Sequence, residues 1–116
     1  MNDPILTFNL TDDSILLNEG ILAALDWPKQ VQILINRDEK MLLLRACTID
    51  DHEAVVVTDE HTLQMEISGK SFLKKLCQLL SWDDNTPRMC YGEYIPAHRA
   101  LRFDLRFAQP LSVEEF

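Results

Sequence analysis

The chain has 116 residues and a formal charge of -8, from 19 acidic against 11 basic residues. That length suits one domain with a real core and is too short for two. A hydrophobic fraction of 47% sets disorder aside, and a total of only 3 Gly sets aside a glycine-rich ligand cradle.

Ile5 to Leu10 reads as a first strand with Leu6, Phe8 and Leu10 on one face, and Thr11-Asp12-Asp13-Ser14 is turn chemistry. Asn18 is placed to cap a short helix over about 19–26, with Glu19 in its first turn and Pro28 ending it. Val31 to Ile35 and Met41 to Arg45 then form a hairpin around Asn36-Arg37-Asp38-Glu39-Lys40. Met41 to Leu44 is apolar without alternation, which implies cover on both faces of the strand. Acidic loops follow at Thr48–Glu53 and Thr58–His61, separated by the short strand Ala54–Val57. Leu63 to Ile67 alternates as a strand should.

The main helix is expected at about 69–82, capped by Ser68 and stopped by the Asp83–Pro87 segment. Phe72, Leu76, Leu79 and Leu80 fall on its apolar stripe, with Leu73 and Cys77 beside it. A closing hairpin turns at Pro96-Ala97-His98-Arg99. Its register places Ile95 opposite Ala100, Tyr94 opposite Leu101, Gly92 opposite Phe103, Cys90 opposite Leu105 and Arg88 opposite Phe107. The face made by Leu101, Phe103, Leu105 and Phe107 should receive the main helix, while Glu93 pairs with Arg102 on the other. The expected architecture is a single α+β domain over residues 1–116. It has a mostly antiparallel sheet built from hairpins, one long amphipathic helix packed on it, one short helix, and tails at 1–4 and 109–116.

The residues with chemical potential resolve into ordinary roles. Gly69-Lys70-Ser71 after a strand suggests a phosphate loop, but the glycine that motif needs five residues earlier is Gln64. His52 and His61 lie beside carboxylates without metal-site spacing, and His98 lies in a turn, so no metal and no cofactor are expected. Cys47, Cys77 and Cys90 contain no C-x-x-C pair and read as reduced, packed thiols of a cytoplasmic protein. No stretch approaches the ~20 apolar residues of a membrane span, so no membrane partner is expected. Lys70, Lys74 and Lys75 on the helix with Arg102 and Arg106 on the last strand form the candidate nucleic-acid or anion surface, which the net charge of -8 disfavours. Val31, Ile33, Ile35, Leu42 and Leu44 form the candidate dimer strand.

The Val31–Asn36 strand with Glu39-Lys40 and Leu44-Arg45-Ala46-Cys47 resembles a hairpin of small proteins carried by mobile elements of gut-type Gram-positive bacteria. In those proteins a Ser-Gly-x-x-Phe helix ending in Trp-Asp follows, matched by Ser68 to Asp83, and a Gly-x-Tyr…Leu-x-Phe-Asp-Leu hairpin closes them, matched by Gly92 to Leu105. The resemblance spans roughly residues 15–107 and implies a shared domain without a known activity. The helix and hairpin at 19–46 are also similar in pattern to swapped-hairpin regulators of the AbrB type. The expectation is a non-enzymatic binding or regulatory protein, homodimeric and acting through protein contacts, in one form as an acidic decoy of a mobile element. The alternative is a DNA-binding transcriptional regulator.

Overall fold

Asn18 shows how the amino-terminal third is tied together. Its side-chain oxygen accepts from the Ile21 backbone N–H at 3.0 Å, which caps helix α1 (Glu19–Ala24). The same oxygen accepts from the Ile5 N–H at 2.9 Å, and the amide nitrogen donates to the Asp3 carbonyl at 2.8 Å. One residue therefore satisfies a helix end and fixes the start of the first strand, β1 (Ile5–Asn9).

The computed structural model describes residues 3–47, 55–56, 65–68, 70–83 and 85–110. Within them the chain is a single α+β domain. Besides β1 and α1 it contains β2 (Ser14–Leu17), β3 (Gln30–Asn36), β4 (Met41–Ala46), β5 (Val55–Val56) and β6 (Met65–Ser68). Helix α2 (Lys70–Leu80), β7 (Arg88–Ile95), β8 (Ala100–Asp104) and β9 (Gln109–Pro110) complete it. All the strand pairings are antiparallel, in the order β5-β3-β4-β8-β7-β1-β2-β6, with β9 also on β7.

The sheet curls about β7, its longest strand. Ile5 to Phe8 of β1 pair with the first half of β7, and Ala100 to Phe103 of β8 pair with the second half. Side chains alternate across a strand, so each half-sheet turns one row inward. Leu6, Phe8, Ile15, Leu17 and Cys90 come from one half, and Val31, Leu42, Leu44, Leu101 and Phe103 from the other; together they form the core. Ile21 and Leu25 from the α1 segment and Leu73 and Leu76 of α2 join them. The Phe8 and Trp82 rings meet at 5.6 Å, and the Arg88 guanidinium lies 5.0 Å from the Trp82 ring centre.

Several expectations are corrected. Ser14 to Leu17 is a strand, not merely the end of a turn. It pairs with β1 so that Leu17 meets Leu6 and Ile15 meets Phe8, which gives β1 its second neighbour. The helix expected at about 69–82 is the eleven-residue α2, three turns long, and its buried residues are Leu73 and Leu76. Phe72, Cys77, Leu79 and Leu80 are only half-buried, so the inward stripe is rotated from the expected one. Ser68 is the last residue of β6, and the helix start expected at Gly69 lies outside the described residues.

The closing hairpin keeps the expected register from Ile95–Ala100 to Gly92–Phe103, with Arg99 left-handed at φ 47° closing the turn. The pairs Cys90–Leu105 and Arg88–Phe107 do not form. After Asp104 the chain makes a 3-10 turn, Leu105–Phe107, in which the Asp104 carboxylate accepts from the Arg106 backbone N–H at 3.1 Å. Local side-chain capture of a backbone donor competes with the ladder here. Pairing resumes at Arg88–Pro110 and Met89–Gln109, a register slipped by three residues. Leu105 is buried, but Phe107 is 72% exposed and leaves the apolar face it was assigned to. The expected tails at 1–4 and 109–116 are joined to the sheet at their inner ends: Gly92 N–H donates to the Pro4 carbonyl at 2.9 Å, and Gln109–Pro110 is β9.

Gly92 is required by close approach. A Cβ there would lie 2.7 Å from Phe103 Cε1, so the Phe103 ring occupies the space over the glycine.

Candidate functional site

The β3–β4 hairpin sets the most distinctive surface. Asn36 closes it by accepting from the Glu39 N–H at 3.1 Å, and Lys40 turns the chain back at φ 55°. The resulting register puts Ile33 opposite Leu44 and Ile35 opposite Leu42, while Leu34 lies opposite Leu43 and Asn36 opposite Met41. One residue separates the two sets, so they face opposite sides of the sheet. Val31, Leu42 and Leu44 are fully buried, and Ile33 and Ile35 pack against the core.

The candidate dimer strand Val31, Ile33, Ile35, Leu42 and Leu44 is therefore the inward row. Val31, Leu42 and Leu44 are committed to the core, where β4 sets Leu42 beside Phe103 and Leu44 beside Leu101, while Ile33 and Ile35 pack against it half-buried. The outward row is Leu34, Leu43 and Met41. Leu34 is 40% exposed, an unusual position for a leucine on a central face, while Met41 and Leu43 are half-buried.

Across β8 and β7 the outward row continues through Arg102 to Glu93, and Ile95 lies near by. Leu34, Met41, Leu43 and Ile95 line a shallow concavity of about 310 Å³, rimmed by Glu39, His98 and Arg102. Arg102 Nη2 contacts Glu93 Oε2 at 2.9 Å with both side chains exposed. One end of the row is also covered: Gln32 is buried, and the Arg45 Nε donates to its side-chain oxygen at 2.7 Å. On its other side, among the described residues, β3 pairs with β5 through Gln30 and Val31.

The candidate basic residues do not converge on one surface. Lys70 and Lys74 line a groove with Leu10, Asp13 and Trp82; Lys75 faces a different groove beside Arg37 and Phe72; Arg102 is on the outer sheet face. Arg106 is held by Asp104 through two contacts, Nε to Oδ1 at 2.9 Å and Nη2 to Oδ2 at 2.8 Å. Those bonds hold the Asp104 carboxyl below its usual range and raise the Arg106 guanidinium further. Both arginines already have carboxylate partners.

Cys47, Cys77 and Cys90 are not joined by disulfides. Cys90 is 2% exposed and its Sγ donates to the Asp104 carbonyl at 3.3 Å. Burial, reinforced by the Asp104 charge, pushes its pKa up to about 11. That is the opposite of the depression that makes a thiol nucleophilic. Among the described residues no group of three His, Cys, Asp or Glu side chains could hold a metal ion. Among them too, no helix is long and apolar enough to cross a membrane. His52, His61, the Asp50-Asp51 pair, and Gln64 and Gly69 of the phosphate-loop comparison lie outside the described residues.

Sequence reasoning passed over two exposed aromatics, Trp27 and Tyr94, at 45% and 46% exposure. Asp26 and Trp27 are both left-handed, at φ 60° and 52°, as the chain leaves α1. Trp27 N–H donates to Leu22 O at 2.7 Å, which stabilises this uncommon conformation. A turn anchored at Asn36 groups Leu34 with Leu43 on one face, and only the pairing of β4 with β8 shows that this face is the outer one.

No family model, curated protein or solved structure matches the chain.

Proposed function

We propose that this is a non-catalytic binding protein that works as a homodimer, joined through the outer face of the β3–β4 hairpin. The observation that carries this reading is the second apolar row, Leu34, Met41 and Leu43 with Ile95, on the side of the sheet away from the core. Alternation normally makes that side polar. Such a row gains by burial, roughly 25 cal/mol for each Å² of apolar surface removed from water. Glu39 and Arg102 on the rim supply both charge signs, which suits a self-complementary contact.

Salt dependence separates this reading from its rival. Two copies of charge -8 repel, and screening relieves the repulsion beyond ~8 Å at physiological ionic strength. Self-association through apolar residues should therefore strengthen as salt is raised. Nucleic-acid binding through Lys70, Lys74 and Lys75 should weaken, because it depends on counterion release. Sedimentation at several salt concentrations is the test. The expected result is a dimer for the natural protein and a folded monomer for the Leu34→Lys, Leu43→Lys double variant. A natural protein that stays monomeric at every salt and protein concentration overturns the reading.

The regulator alternative draws support from the three exposed helix lysines. It is weakened by the engagement of Arg102 and Arg106 with Glu93 and Asp104. The proposed mobile-element kinship and the decoy role rest on sequence resemblance and acidic charge.

A further inference from the structure

A second concavity, of about 500 Å³, lies between α2 and the outgoing end of β3. That volume falls within the ~300–1,000 Å³ typical of small-molecule sites. Its apolar lining is Ile35, Phe72, Leu76 and Leu79, of which Leu76 is buried and the others half-buried. Two cations, Arg37 and Lys75, and the neutral amide of Gln78 complete the lining, and all three are exposed. Among the described residues neither cation has an ion-pair partner, in contrast to Arg102 and Arg106.

Two unengaged cations over an apolar floor, on a chain of charge -8, define a narrow ligand chemistry. A small inorganic anion would satisfy the cations and leave Phe72 and Leu79 wet. A neutral hydrocarbon would cover the floor and leave the cations with water alone. A fatty acid satisfies both, because its carboxylate suits the planar guanidinium and its chain suits the aliphatic and aromatic lining.

We propose that this groove binds a medium-chain fatty acid, its alkyl chain laid on Ile35, Phe72 and Leu79 and its carboxylate held between Arg37 and Lys75. Phe72, Leu79, Arg37 and Lys75 play no part in the dimer reading, and although Ile35 borders both concavities the proposal does not depend on that reading. Charge complementarity selects the occupant, and the modest volume selects a single short chain over a two-tailed lipid.

The experiment is calorimetric titration of the full chain with hexanoate, octanoate and decanoate, each below its micelle concentration. Saturable one-to-one binding is expected, with affinity rising about fourfold for each added methylene. Decyltrimethylammonium should bind at least about tenfold more weakly than decanoate, and Arg37→Ala with Lys75→Ala should cost a similar factor for decanoate, since charge-assisted hydrogen bonds are lost. Both substitutions are at exposed positions, and an unchanged melting curve will show that the fold is intact. Absence of saturable binding, equal affinity for the cationic detergent, or indifference to the double substitution each overturns the proposal. So does a groove filled by a second copy, seen as loss of dimer in the double variant with no decanoate binding.

Discussion

The two long hairpins teach different lessons about how a sequence specifies a surface. In β7–β8 polar and apolar residues alternate around a turn containing proline, and the pairing from Gly92 to Ile95 follows from that pattern. In β3–β4 the run from Met41 to Leu44 is apolar on both parities, so hydrophobicity locates the strand without saying which side is inside. The turn, with Asn36 accepting from the Glu39 N–H, sets the register of the hairpin, and pairing of β4 with β8 sets Leu42 and Leu44 beside Phe103 and Leu101 on the core side. Among the described residues, the outer face carries Leu34, Met41 and Leu43, with Leu34 40% exposed.

The sharpest way to break this comparison is to truncate leucines from the two faces of one strand. Leu42→Ala, in the fully buried row, should cost about 2–5 kcal/mol of unfolding free energy. Leu34→Ala, on the half-exposed outer row, should change the stability of the isolated chain by no more than about 0.5 kcal/mol. Denaturant melts of both variants check the pair, and equal losses would mean that the faces are wrongly assigned.

The second comparison sets local ties against packing. Gly92→Ala brings a methyl against the Phe103 ring, and overpacking of this kind costs about 1–3 kcal/mol. Asn18→Ala should cost about 1–2 kcal/mol, because the helix cap is lost and the Ile5 donor loses its partner as well. Thermal melts should show both variants folded and less stable, with protection of the Ile5 and Ile21 amides from exchange reduced in Asn18→Ala alone.

The smallest effect concerns Cys90. Its folded pKa of about 11 is above the ordinary thiol value, so the native state favours the neutral thiol. The stability linked to this group is complete below the unfolded thiol pKa and is lost as pH rises from there toward 11. Cys90→Ala should flatten the loss of stability across that alkaline window. Mass spectrometry of thiol alkylation at neutral pH should find Cys90 modified more slowly than Cys47 or Cys77 in the native chain.

Much of this fold was legible where one residue type had one available role. Asn18 before a short apolar helix reads as a cap, and Glu93 and Arg102 read as a cross-strand pair; the structure contains both contacts. Ser14 to Leu17 was missed because four residues carry too little periodicity to separate a strand from the end of a turn. The break after Asp104 was missed because alternation continues through Leu105 and Phe107, while a single carboxylate captures the Arg106 N–H and stops the ladder. The outer surface was the least legible part. Leu34 and Leu43 look like core residues in a list, and only the register removes them from it.

The position of β7 has a consequence for how the molecule is made. It is the seam between two half-sheets, and it pairs with β1 from the opposite end of the chain, Ile5 meeting Tyr91. A ribosome releases β1 and β2 long before β7 exists, so the β1 edge that β7 will occupy stays open through most of synthesis. Contacts between such distant segments form late and slowly, because a long loop must close before they are rewarded. The nascent chain therefore carries an unprotected edge beside Leu6 and Phe8 until β7 emerges, and this is the interval in which a chaperone or a wrong strand would find it.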